Sequence, residues 1–147
     1  MKTDMTVAGY LIYKEKVLLI HHKKLNLWLP VGGHMEQNET PDDALRREFK
    51  EEVNLEIKIL NESDIPFKGN IKRNLATPFY SNVHNVGDHD HSCLFYVCTA
   101  DDIDGLEANL DELKDLAWFS KEDLNQSHVP IDVRNIALKA FQIYHSL

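Results

Sequence analysis

Cysteine is scarce in this chain. Cys93 and Cys98 are the only two among 147 residues, and they stand five apart in an apolar, strand-like run. An odd separation along a strand sends side chains to opposite faces, so the two are not expected to bridge. Long apolar runs are missing as well. No stretch approaches the roughly 20 residues that a helix needs to span a bilayer, which argues against a membrane protein. The opening MKTDMTVAGY holds no apolar segment of the signal-peptide kind, and a cytoplasmic location is expected. Basic charge is short too: 16 Lys and Arg face 24 Asp and Glu, for a net charge of −8. Without a basic stripe to neutralise phosphates, a nucleic-acid polymer is not the expected partner. A small phosphorylated molecule is compatible with the acidity, because a bound metal can offset its charge locally. No linker, repeat or low-complexity tract interrupts the chain. With 43% apolar and 27% charged residues, it reads as one globular domain over residues 1–147.

What is abundant is acid, concentrated in residues 33–55, GHMEQNETPDDALRREFKEEVNL. Glu48, Glu51 and Glu52 fall at i, i+3 and i+4, which on a helix places three carboxylates on one face. Like charges so spaced repel, and the arrangement costs helix stability unless a cation sits among them. A hard divalent ion such as Mg²⁺, or Mn²⁺, takes oxygen ligands of this kind. The plainer alternative is a solvated acidic face. The flanks speak for a helix packed at the edge of a cleft. Thr40, Pro41, Asp42 and Asp43 make a helix start with a hydroxyl cap, proline at the first position and acid after it. Leu45, Phe49 and Val53 then recur every four residues as an apolar stripe. Asn54 follows, where a left-handed residue commonly ends a helix. Upstream, Leu29-Pro30-Val31-Gly32-Gly33 reads as a turn whose glycines let backbone approach a ligand.

Gly33, Glu39, Arg47, Glu48, Phe49, Glu51, Glu52, Asn54 and Leu55 resemble the Nudix box, G-x5-E-x7-R-E-U-x-E-E-x-G-U, where U is bulky and apolar. Every separation matches. The penultimate Gly is Asn54 here, and Asn is the ordinary residue best able to take a left-handed conformation. Phe49 is larger than the usual aliphatic residue, and Val31 stands where many members have a further Gly. The resemblance implies an α/β fold, a single-domain α/β/α sandwich with a mixed β-sheet. It also implies metal-dependent hydrolysis of a phosphoanhydride bond in a molecule linked to a nucleoside diphosphate, by water attack at phosphorus. Carried over residue by residue, it makes Glu48 and Glu52 the first metal ligands, Glu51 a third and the Gly33 carbonyl a fourth. Arg47 pairs with Glu39 and orients the box carboxylates. For the general base, Glu48, Glu51, and Asp111 or Glu112 all stay open. Gly32, Gly33, Glu36, His22 and Lys23 are the candidate substrate-binding residues, with His21 to Lys24 leading towards the glycines. The chain has little room for the N-terminal dimerisation subdomain of many ADP-sugar-cleaving relatives, which favours a nucleoside tri- or diphosphate as substrate. The alternative is a non-catalytic Nudix-fold module that binds a nucleotide. No motif sets the oligomeric state, and a homodimer stays open.

The remaining elements follow from pattern. Thr6 to Tyr13 and Lys16 to His22 predict a hairpin about Lys14-Glu15, and Trp28-Leu29 a short extended piece. Leu55 to Leu60, Phe79 to Val83, Ser92 to Thr99 and Leu113 to Phe119 predict further strands, with 61–75 irregular. Ser120 opens a short helix, and Ile131 to His145 predicts the last one. His84, Asp88, His89, Asp90 and His91 crowd one segment. A second metal site or phosphate contact is one reading; a polar hairpin tip is the expectation. Trp28 and Trp118 are expected to pack in the core rather than stack on a base.

Overall fold

The computed structural model describes residues 2–147. Its centre is a long strand β1 (Thr3–Tyr13), which turns through Lys14 and Glu15 into β2 (Lys16–His22). Both turn residues are left-handed, at φ 49° and 64°, the geometry a two-residue hairpin needs to match strand twist. Two short strands follow, β3 (Trp28–Leu29) and β4 (Val31–His34), then helix α1 (Pro41–Val53). Next come β5 (Lys58–Ile59), β6 (Tyr80–Asn85), β7 (Asp90–Thr99) and β8 (Leu113–Phe119), and the chain closes with α2 (Ile131–Ser146). Strands run β3-β2-β1-β7-β5, with β4 paired to β1, β6 to β7 and β8 to β2. β1 and β7 are parallel from Thr3↔Asp90 to Leu11↔Cys98, while the other named pairs are antiparallel, so the sheet is mixed.

Side-chain alternation along β1 divides the core in two. Val7 and Leu11 point to one face, where they meet Ala44, Leu45, Phe49 and Val53 of α1. Ala8, Tyr10 and Ile12 point to the other and meet Val133, Ile136, Ala137, Ala140 and Phe141 of α2. Helices therefore cover opposite faces of one sheet, the expected α/β/α sandwich. Cys93 lies in the α2 layer and Cys98 in the α1 layer, each buried and free. Trp28 edges onto Phe119, and Trp118 packs on the α1-side core.

Three local expectations are corrected. Residues 31–34 are not a turn but strand β4, hydrogen-bonded to β1 with Gly9↔Val31 and Thr6↔His34 as end pairs. Neither Gly32 nor Gly33 has a positive φ. Strand β5 keeps only Lys58 and Ile59 of the alternating Leu55–Leu60 run, paired with Thr99 and Cys98 of β7, and Leu60 adds one bond from its N–H to the Val97 carbonyl at 2.9 Å. The histidine-rich segment is the polar tip of a hairpin, as expected, but its strands run further than Val83 and Ser92: β6 and β7 extend to pair His84 with His91 and Asn85 with Asp90. Ser120 does cap, since its Oγ accepts from Asp123 N–H and Asp123 returns the bond, but only a 3-10 turn over Asp123–Asn125 follows.

Candidate active site

Helix α1 begins as its sequence predicts. Thr40 is extended, and its Oγ1 accepts the Asp43 N–H at 3.2 Å, with Pro41 at the first helical position. The helix ends at Asn54, left-handed at φ 56°, whose N–H returns to the Lys50 carbonyl at 3.2 Å. Asn54 also does what no glycine could: its Nδ2 donates to the Gly105 carbonyl at 3.0 Å, tying the 105 loop to the helix end. Asn109 completes this closure. Its backbone N–H donates to the Glu52 carbonyl at 2.9 Å and its Nδ2 to the Glu51 carbonyl at 3.3 Å. These bonds satisfy helix-end acceptors that would otherwise need water. Local pattern could not reveal Asn109, because its partners lie more than 50 residues away.

The apolar stripe anchors α1 on the sheet and thereby sets where the glutamates project. Glu52 is buried, 4% exposed, and its Oε1 accepts the Gly32 N–H at 3.3 Å. Glu48 lies beside it with a side chain 13% exposed, and the two carboxyls face one another. Burial, then the Glu48 charge, push Glu52 up to about 9. Glu48 is also raised by burial, against the pull of Arg47. Glu51 differs: its side chain is 54% exposed, on the rim.

Arg47 organises these acids. It grips Glu39 with two bonds, Nε to Oε2 at 2.8 Å and Nη2 to Oε1 at 3.0 Å. Nη1 reaches Glu48 Oε1 at 2.9 Å and Glu51 Oε2 at 3.3 Å, while Nη2 also donates to the His34 carbonyl at 2.9 Å. Glu39 holds its loop in turn, accepting the Glu36 N–H at 3.0 Å. Its carboxyl is held below the usual range by the Arg47 hydrogen bonds, and Arg47 is raised by the same contacts. A planar guanidinium is suited to such a fork, which a lysine would not reproduce.

The two glycines are required by crowding rather than by turn geometry. A Cβ on Gly32 would lie 2.2 Å from the Val7 carbonyl oxygen, in the backbone of β1. A Cβ on Gly33 would lie 2.5 Å from Glu48 Oε1. The backbone of β4 thus comes directly against the carboxylate pair. Glu36 is exposed, 3.8 Å from Arg47 Nη1. His22 and Lys23 are engaged elsewhere in their own turn: His22 Nδ1 accepts the N–H groups of Lys24 and Leu25, both at 3.3 Å. Lys23 Nζ donates to the Leu110 carbonyl at 3.0 Å. That contact puts Lys23 on the 109–112 loop, whose Glu112 lies close enough to add to the rise of Glu52. The Asp111 N–H bonds the Asn109 side chain.

A buried and a half-buried acid facing one another, with a backbone strand against them, form a set of oxygen donors that a hard divalent cation fits. The sequence profile of the NUDIX domain matches residues 2–139. The chain belongs to the Nudix family. Its Nudix box is the loop, helix α1 and helix end just described. The crystal structure of a hydrolase of the NUDIX family from Clostridium perfringens aligns over 98% of this chain and 99% of that one, with 32% identity and a TM-score of 0.83. Nucleoside triphosphatase NudI of Enterobacter sp. (strain 638) is 31% identical over 103 residues, 67% of this chain and 64% of that protein. The match to this Nudix relative thus spans less than two thirds of its length. A MutT protein from Methanosarcina mazei Go1 shares the fold at 12% identity, with a TM-score of 0.74 over 97% of this chain and 95% of that one.

Proposed function

We propose that this protein hydrolyses a phosphoanhydride bond in a small nucleotide, most specifically a nucleoside tri- or diphosphate, with Mg²⁺ or Mn²⁺ as its cofactor. The observation that carries the reading is the Glu48–Glu52 pair, Glu52 buried and Glu48 half-buried, held between Arg47 and the β4 backbone. Burying two facing carboxyls with no apolar gain is costly, and their raised proton affinities express that cost. A divalent ion at this position supplies charge neutralisation on phosphoryl oxygens and a water made nucleophilic near neutral pH.

Each side chain has a defined part in this reading. Glu48 and Glu52 would hold the ion, with Glu51 joining from the rim and the Gly33 carbonyl as a fourth donor. Arg47 keeps Glu48 and Glu51 aimed from one nitrogen, with Glu39 as its brace. The general base is an acid with solvent access, which favours Glu51 over the buried pair; Glu112, across the 109–112 loop, is the second candidate. Gly32, Gly33 and Glu36 are the substrate contacts beside the carboxylates, whereas His22 and Lys23 would act only from their own turn, which Lys23 ties to the 109–112 loop. The nucleoside triphosphatase activity named for the Enterobacter relative supports this substrate class.

The test is turnover of a panel of nucleoside tri- and diphosphates and nucleotide sugars with Mg²⁺, Mn²⁺ or excess EDTA, read as phosphate, pyrophosphate and monophosphate released. Metal-dependent cleavage of free nucleotides over nucleotide sugars is expected. Full turnover in EDTA would remove the mechanism. Metal-dependent nucleotide binding without cleavage of any substrate would make the protein a binding module.

A further inference from the structure

The opposite face of the same sheet carries a second group of ligating side chains. His34, opposite Thr6 in the β4–β1 ladder, projects away from the Val31 and Gly33 side, and Asp4 lies two residues from Thr6 on the same face. Asp4 pairs with His91 across the parallel β1–β7 ladder, and His84 pairs with His91 across β6–β7. His89 reaches in from the turn before β7. One donor atom from each of Asp4, His34, His89 and His91 lies within 4.8 Å of all the others. Their register puts them with Ala8 and Cys93 on the α2 side, whereas the box glutamates project from α1 on the other side.

We propose that Asp4, His34, His89 and His91 form a binding site for a borderline first-row divalent cation of the Zn²⁺ type, separate from the box carboxylates. The spacing fits such an ion. His34 Nε2 lies 3.1 Å from Asp4 Oδ2, His89 Nε2 lies 3.4 Å from the same oxygen, and His89 Nε2 lies 3.2 Å from His91 Nε2. A tetrahedron with ligands at 2.0–2.1 Å has edges of about 3.3 Å. The ring orientation fits as well. His89 Nδ1 is bonded to the Asp88 carboxylate at 2.7 Å, the pairing that fixes a ligating imidazole and presents its Nε2.

Hydrogen bonding alone serves this group poorly. A single Nε2 hydrogen on His89 faces two acceptors, Asp4 and His91, and the His89–His91 contact sets two ring nitrogens against each other. An ion in their midst uses every one of these lone pairs. Three imidazoles and one carboxylate are a donor set for Zn²⁺, Co²⁺ or Ni²⁺ rather than Mg²⁺, which prefers oxygen. Four protein ligands leave no open position, so the site is structural. It would clamp β1, β4 and β7 together. It would also fix His34, whose carbonyl receives Arg47, without depending on what the box itself catalyses.

The full-length protein, stripped with chelator and titrated with Co²⁺, tests this by visible absorption. One equivalent should develop the intense band of tetrahedral Co²⁺; Zn²⁺ should abolish it, and excess Mg²⁺ should not. His89→Asn and His91→Asn should each weaken Co²⁺ binding by at least about tenfold, as should Asp88→Asn through loss of ring orientation. Asp4→Asn keeps the shape of its side chain and supplies a further ligand variant if a histidine variant does not fold by circular dichroism. Glu52→Gln should leave the band intact. Absence of a tetrahedral band in the wild type, its persistence in the folded ligand variants, or its loss in Glu52→Gln would each overturn the proposal.

Discussion

Glu52 shows how much one residue's surroundings decide. The same side chain on an exposed helix face would be an ordinary anion, yet burial and Glu48 raise it from an ordinary 4.5 to about 9. A group whose proton affinity is raised by folding stabilises the protein fully below its unfolded value and loses that contribution as pH climbs through its folded one. The metal-free protein should therefore melt at falling temperature between about pH 4.5 and about 9, and Glu52→Gln should flatten that decline. Parallel pH slopes of melting temperature in EDTA, for wild type and variant, would show that Glu52 ionises freely. The same variant should lose at least about 100-fold in turnover, the effect of about 3 kcal/mol of lost transition-state stabilisation. Asn54 gives a second test at this scale. Its left-handed backbone was legible, because the spacing ends the helix there. Its bond to Gly105 was not, since the acceptor is 51 residues away. Asn54→Gly should cost about 0.5–1.5 kcal/mol through that lost bond. Asn54→Val should cost about 1–2 kcal/mol more, because a β-branched residue resists a left-handed backbone. Denaturant midpoints measure both, and a glycine variant as stable as wild type would make the Gly105 bond energetically idle.

At the scale of elements, legibility followed locality. The limits of α1 could be read because cap, proline, stripe and terminator all lie within 15 consecutive residues. Strand β4 could not, because two adjacent glycines look like a turn until β1 appears beside them. The histidine segment was legible only in part, for a related reason. Its own residues suggest a polar tip, whereas Asp4 and His34, which complete the cluster, arrive from strands far away in sequence. The β4 glycines should separate cleanly under substitution. Gly32→Ala sets a Cβ against the backbone of β1, which cannot yield without breaking the ladder, so it should destabilise by about 1–3 kcal/mol or more. Gly33→Ala meets only the end of the Glu48 side chain, which can swing aside. Its stability should change little while turnover falls steeply. Equal loss of stability in the two variants, followed by chemical denaturation, would contradict this division of labour.

The whole molecule is a sheet with a different polar group on each face, the box carboxylates under α1 and the histidine cluster on the α2 side. Its net charge of −8 makes it receptive to cations generally, so a bare stabilisation by salt would prove little. What distinguishes a built site is competition with a defined proton. Burial and the Glu48 charge raise the proton affinity of Glu52 in the metal-free protein, so an ion that takes both carboxylates competes with a proton there. Mg²⁺ should raise the wild-type melting temperature, by the equivalent of about 2.7 kcal/mol once its concentration is 100 times its dissociation constant. That gain should be larger at pH 9 than at pH 6, because fewer protons then compete. In Glu52→Gln it should shrink at both pH values, since an amide can neither lose the proton nor match the charge. Chloride salts of a monovalent cation at equal ionic strength control for screening. If Mg²⁺ shifted wild type and variant alike, or shifted wild type equally at both pH values, its ligands would lie elsewhere than Glu48 and Glu52.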